Sequence, residues 1–229
     1  MRERPILFNT EMVKAILDGR KICTRRIVKP QPKTRLCYTF AGGGCRTWGY
    51  PSPFAHEIWG EGYKLPDDIT KEDLAKRWKP PYHTDDILYV RETWSEIRNA
   101  DGSHKKYVYK ASDQYPFGES GYIIKFKWKP SIHMPKETAR IWLKVTNVRV
   151  ERLQDITEAE AILEGAIDNR AFIRSPDNEY DHIHTAREHF IDIWNSTIGK
   201  SDFDTYGWDA NPYVWAIEFE RCENSGKEQ

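Results

Sequence analysis

"ARIWLKVTNVRVERLQDITEAEAILEGA", residues 139–166, decides the fold. Ile141, Leu143 and Val145 alternate with polar or bulky neighbours, which is the period of a strand with one buried face. Val148 and Val150 resume the alternation after a kink expected at Asn147. The period then changes to that of a helix. Thr157 and Glu160 have the spacing of a capping box, and Gly165 stands where a helix ends. The unit is a long strand turning directly into a helix. Working outward, "NPYVWAIEFERC" (211–222) reads as a closing strand with Tyr213, Trp215, Ile217 and Phe219 on one face. "HTAREHFIDIWNSTIG" (184–199) is a second capped helix, Thr185 to Glu188, with Phe190, Ile193, Trp194 and Ile198 on its apolar side. Upstream, "DDILYVRETW" (85–94), "KKYVYKA" (105–111, after a turn signal at 99–102) and "SGYIIKFKW" (120–128) read as strands.

Near the start, "TEMVKAILDGRK" (10–21) reads as a short helix capped by Thr10, with Val13, Ile16 and Leu17 as its stripe and Gly19 as its stop. "CTRRIVKPQP" (23–32) is a strand stopped by Pro30 and Pro32. Residues 31–83 are rich in Gly and Pro, with one small helix in "TKEDLAKRW" (70–78). They read as an irregular insertion lying outside the core. Strand pairs joined by turns, with about three helices, predict an α+β fold: a small mixed or closed β-barrel with helices across its ends, without alternating βα units. We expect one domain over residues 1–222, insertions at about 30–84 and 169–209, and a disordered tail at 223–229.

The 229 residues suffice for one large core. Lys and Arg number 35, as do Asp and Glu, so bulk charge does not predict a coat for duplex nucleic acid. A local basic cleft remains open to the chain, because residues 19–35 carry seven cations and no acid. Nine Trp point to core packing, to base-stacking platforms, or to both. Cys23, Cys37, Cys45 and Cys222 form no C-x-x-C pair and read as free thiols in a cytoplasmic protein. No run of 18 apolar residues and no leader pattern occurs, so no membrane association is expected. His182, His184 and His189 cluster without an established ligand spacing, and no metal or cofactor is expected. No oligomeric state follows from these patterns.

The chemistry centres on "GRKICTRR" (19–26). Lys21 has Arg20, Arg25 and Arg26 as neighbours, and nearby cations favour a neutral amine. Such an amine is able to take the proton of the Thr24 hydroxyl, a variant of the nucleophile-plus-base arrangement. The pair needs a turn before the strand begins, since positions three apart on a regular strand do not face together. A solvated basic strand, or a phosphate clamp without chemistry, fits the same residues.

"RPILFNTEMVKAILDGRKICTRR", "DILYVRETW", "KWKPSIHMPKETARIWLKVTNVRVERLQDITEAEAILEG" and "NPYVWAIEF" together resemble ASCH-domain proteins, in particular the longer ones of phages and prophages. The resemblance implies a PUA-like barrel. It also implies an amidohydrolase that removes the acyl group of N4-acetylcytidine. Its site would be Lys21 and Thr24 of the G-R-K-x-x-T motif with Glu164 of the following helix, and Glu160 as the second choice. Other members of the family are ribonucleases or nucleic-acid binders, so a non-catalytic module for RNA or a modified base is the alternative. In the enzyme, Arg20 or Arg26 would hold the developing oxyanion or a phosphate; in either reading Arg20, Arg25, Arg26 and Arg91 would bind substrate or nucleic acid, and Trp94, Trp128 or Trp142 would stack on the base. Ile22 and Cys23 depart from the polar residues often found between that Lys and Thr.

Overall fold

The computed structural model describes residues 2–41, 45–51, 66–98, 105–112, 127–169 and 185–223. It is an α+β protein. Five strands form the main sheet: β1 (Glu3–Leu7), β2 (Cys23–Ile27), β6 (Ile87–Arg91), β9 (Trp142–Arg152) and β10 (Tyr213–Cys222), in the order β1-β6-β9-β10-β2. Only β1 and β6 run parallel, and the other pairs are antiparallel. Among the described residues no ladder joins β1 to β2, so the sheet does not close into a barrel. The two edges nevertheless approach, because an Arg26 guanidinium nitrogen donates to the carbonyl of Leu7 over 3.2 Å.

β10 explains the layering. Tyr213, Trp215, Ile217 and Phe219 enter the larger core with Ile6, Leu88, Leu143 and Val145. Val214, on the opposite face, enters a second core with Phe190 and Trp194. A strand buried on both faces has the continuous apolar run that "YVWAIEF" displays. α1 (Thr10–Leu17) packs Val13 and Ile16 against the larger core. α3 (Glu158–Leu163) and α4 (Ala186–Ser196) cover the other face. Both expected capping boxes are present, Thr157 with Glu160 and Thr185 with Glu188. The cap of α1 is Asn9, not Thr10: its side chain accepts from the Met12 N–H over 2.8 Å. Two adjacent residues are competent caps, and the chain turns helical one residue earlier than expected.

The kink expected at Asn147 takes the form of a bulge. Glu218 faces Asn147 and Phe219 faces Val145, leaving Thr146 as the extra residue. Core-facing positions therefore run 143, 145, 148, 150 along β9 and stay in step with β10.

The insertion expected to be irregular is the largest correction. β3 (Cys37–Ala41), β4 (Cys45–Gly49) and β5 (Arg77–Trp78) form a three-stranded antiparallel sheet, preceded at β5 by α2 (Lys71–Ala75). Leu36, Tyr50 and Trp78 belong to the larger core, and the Trp48 ring meets Trp215 edge-on at 5.6 Å. β7 (Trp94–Arg98) and β8 (Lys105–Tyr109) form a separate hairpin, and α5 (Phe203–Tyr206) precedes β10. The strand expected in 120–128, the turn at 99–102 and the tail lie outside the described residues, apart from the ends of those stretches. His182 and His184 also lie outside them, whereas His189 accepts the Ile167 N–H through Nδ1 at 2.9 Å. Among the described residues no helix is long and apolar enough to cross a membrane.

Candidate active site

Lys21 lies between α1 and β2, in a turn set by the end of the helix. Gly19 takes a left-handed φ of +75°, and the N–H groups of Arg20 and Lys21 both bond the Ala15 carbonyl. This turn points Lys21 inward, where it is 1% exposed. Its three ammonium protons are all engaged. Nζ donates to the Cys23 carbonyl at 2.7 Å, to the Glu164 carbonyl at 2.6 Å and to Glu164 Oε2 at 2.7 Å. Glu164 is the C-terminal cap of α3. A carboxylate at a helix C-terminus opposes the helix dipole, so its placement there is offset by the cations it meets. The chain turns away at once through Gly165, whose φ is +95°. A Cβ on Gly165 would lie 3.0 Å from the Ala15 Cβ and 3.5 Å from Lys21. Glycine is required there for conformation and for room, which brings the end of α3 down on Lys21.

Arg25 shares the arrangement. Its guanidinium reaches Glu164 Oε1 at 3.2 Å, Glu151 Oε1 at 2.6 Å and Glu160 Oε2 at 3.5 Å. Arg149 extends the network to Glu151 at 2.8 Å, to Glu160 at 2.6 Å and to Glu218. Two consequences for charge follow. Burial pushes the Lys21 ammonium below its ordinary pKa, and Glu164 opposes that shift without cancelling it. Burial first, and Glu164 second, push the Cys23 thiol up to about 12.

Thr24 is 2% exposed and sits opposite Ile217 in the ladder. Opposed residues of an antiparallel pair share a face, so Thr24 looks into the larger core, whereas its neighbour Arg25 faces the Glu164 side. The Thr24 hydroxyl makes no hydrogen bond to Lys21. The structure thus brings together Lys21, Arg25 and Glu164 from positions 143 residues apart, with Thr24 around the edge of the same strand. Glu160 serves its capping box and the Arg149 pair.

The remaining expected binders are placed as follows. Arg20 lies at the rim, bonded to the Gly165 carbonyl at 3.3 Å and to Asp18 at 3.1 Å. Arg26 lies over the Phe8 ring at 5.5 Å. Arg91 is committed to the carbonyls of Met134 and Ile132. Trp94 is buried beneath Lys129, and Trp142 is buried beside Tyr89. Trp128 is half-buried on the segment before Lys129. Within the run 19–29 the two innermost cations, Lys21 and Arg25, are matched by Glu151, Glu160 and Glu164.

Sequence reasoning missed Arg149 and Glu151 as members of this network. Opposite charges at i and i+2 on a strand share a face, which was the available signal. A pocket of about 240 Å³ opens beside the network, walled by Cys23, Thr146, Arg149, Glu160 and Glu218 among others. A larger one, of about 610 Å³, lies between the three-stranded sheet and β9. No family model, curated protein or solved structure matches the chain.

Proposed function

We propose that this chain is an ASCH-like amidohydrolase that deacylates cytidine modified at N4, and that its five-stranded sheet is the frame of a PUA-like barrel. One observation carries the reading. A fully buried lysine in the turn before β2 meets a buried carboxylate at 2.7 Å, three residues ahead of a buried threonine on β2. Buried lysines held by a single carboxylate, with burial working against their charge, are found where a general base is needed.

In the reaction, Lys21 in its amine form exchanges one of its acceptors for the Thr24 hydroxyl and takes its proton. Thr24 Oγ1 attacks the amide carbonyl, and Lys21 returns the proton to the departing N4 nitrogen as the C–N bond breaks. Water then cleaves the acyl ester on Thr24, releasing carboxylic acid and free hydroxyl. Glu164 orients Lys21 throughout. A second reading is favoured by the three acceptors around Nζ, which suit a permanent ammonium. In that reading the chain is a non-catalytic binder of RNA or a modified base.

The deciding experiment incubates the pure protein with N4-acetylcytidine and follows cytidine. Turnover by wild type, lost in Thr24→Ala and in Lys21→Arg, supports the enzyme, because a guanidinium stays protonated. Turnover by Thr24→Ala at the wild-type rate removes the nucleophile. RNA binding with no turnover at all transfers the case to the second reading.

A further inference from the structure

We propose that the pocket between the three-stranded sheet and β9 binds a nucleotide. The pocket is separate from the Lys21 network and is built largely by the insertion. Its wall is a row of three aromatic rings across three strands. Tyr38 faces Trp48 in the β3–β4 ladder, and Trp48 faces Trp78 in the β4–β5 ladder. The Tyr38 and Trp48 rings lie 5.3 Å apart at 39°. Trp78 is fixed by the bond from its Nε1 to the Pro30 carbonyl at 2.8 Å, and Trp48 by Trp215. Tyr38, in contrast, is 54% exposed. A rigid aromatic floor with one open ring at its mouth is a stacking platform for a planar heterocycle.

The rim supplies the charge. Arg77 and Lys79 line the pocket beside His83, whose Nδ1 lies 3.8 Å from Asp86, and none of its described lining residues is acidic. Arg77 is anchored through the carbonyls of Leu74 and Lys76. Lys79 is exposed and has no carboxylate partner among the described residues. Arg77 and Lys79 beside an aromatic floor match a base that carries a phosphate. The cations of the Lys21 network cannot serve that phosphate, since carboxylates already hold them. The pocket's volume of about 610 Å³ falls within the usual range for sites that enclose small molecules.

The test uses a fluorescein-labelled hexauridylate, with UMP and uridine as competitors, read by anisotropy. We expect UMP to displace hexauridylate and to bind more tightly than uridine. Tyr38→Ala should weaken hexauridylate about tenfold, Tyr38→Phe should restore it, and Lys79→Gln should reduce the slope of log affinity against log salt by about one. Both positions are exposed, and unchanged melting curves verify the fold. Absence of binding by all three probes overturns the site, as does hexauridylate binding indifferent to both substitutions. Equal affinity for UMP and uridine overturns the phosphate contact and with it the nucleotide. Binding without deacylation removes the proposed enzyme and keeps this site. Deacylation of free N4-acetylcytidine with no hexauridylate binding does the reverse.

Discussion

The Lys21 network and the inter-sheet pocket hold the same two ingredients, cations and aromatic rings, in opposite states. Around Lys21 the cations are inside and matched. Lys21, Arg25 and Glu164 are all buried, and every proton of Nζ has an acceptor. In the pocket Arg77 and Lys79 are exposed, and no described carboxylate shares the lining. Removing a charge from water costs several kcal/mol, a cost offset only where geometry saturates it. A saturated interior group is held in one place and is available to act there. An unsaturated rim costs nothing while water covers it and gains when an anion replaces the water. The difference separates a region shaped by its own chain from a region shaped for a visitor.

The harshest way to break this contrast is to remove the shared carboxylate. Glu164→Ala leaves Lys21 without its ion pair and Arg25 with one carboxylate fewer, and should lower stability by about 3–5 kcal/mol in urea unfolding. A loss below 1 kcal/mol would show that the network is hydrated. Next, Cys23 should react with an aromatic disulfide reagent at pH 8 about a hundredfold more slowly in the native state than after unfolding. With its pKa near 12 in the folded protein, Cys23 holds its proton while an unfolded thiol loses it from about pH 8.5. Its contribution to stability is thus complete below that pH and disappears as pH rises towards 12. Native-state reaction as fast as the half-buried Cys37 would contradict this.

Gly165→Ala is milder. A methyl group at φ +95°, 3.0 Å from Ala15, should cost about 1–3 kcal/mol and displace Lys21. Wild-type melting of that variant would mean that α3 shifts freely over α1. Smallest of all, Tyr38→Ala should change stability by less than about 0.5 kcal/mol, as an exposed side chain should. A larger loss would make the pocket's mouth part of the core and dissolve the contrast.

The Lys21–Glu164 pairing was expected only through the family resemblance; the local residues themselves showed that a glycine ends α1 before Lys21 and another ends α3 just after Glu164. Capping boxes and the alternation of β9 and β10 are likewise local. The three-stranded sheet was not legible. Its strands are two to five residues long, and Gly and Pro interrupt the pattern between them. Trp48 and Trp78 meet only across a ladder spanning 30 residues of sequence, which no period reveals. The inward turn of Arg25 was hidden for a related reason. Its acids come from β9 and α3, more than 120 residues away, so the basic run appeared unbalanced.

The extra residue in β9 has a consequence for how this chain can change length. Before Thr146 the odd positions look into the larger core, and after it the even ones do. A deletion of one residue here would remove the step and reverse one half of the strand. Either Leu143 and Val145 or Val148 and Val150 would turn towards the opposite layer. Loss or gain of a pair would keep every orientation and only slide the ladder. The strand thus admits edits in twos, and the bulge acts as a parity bit between the part that pairs with β6 and the part whose residues border both pockets.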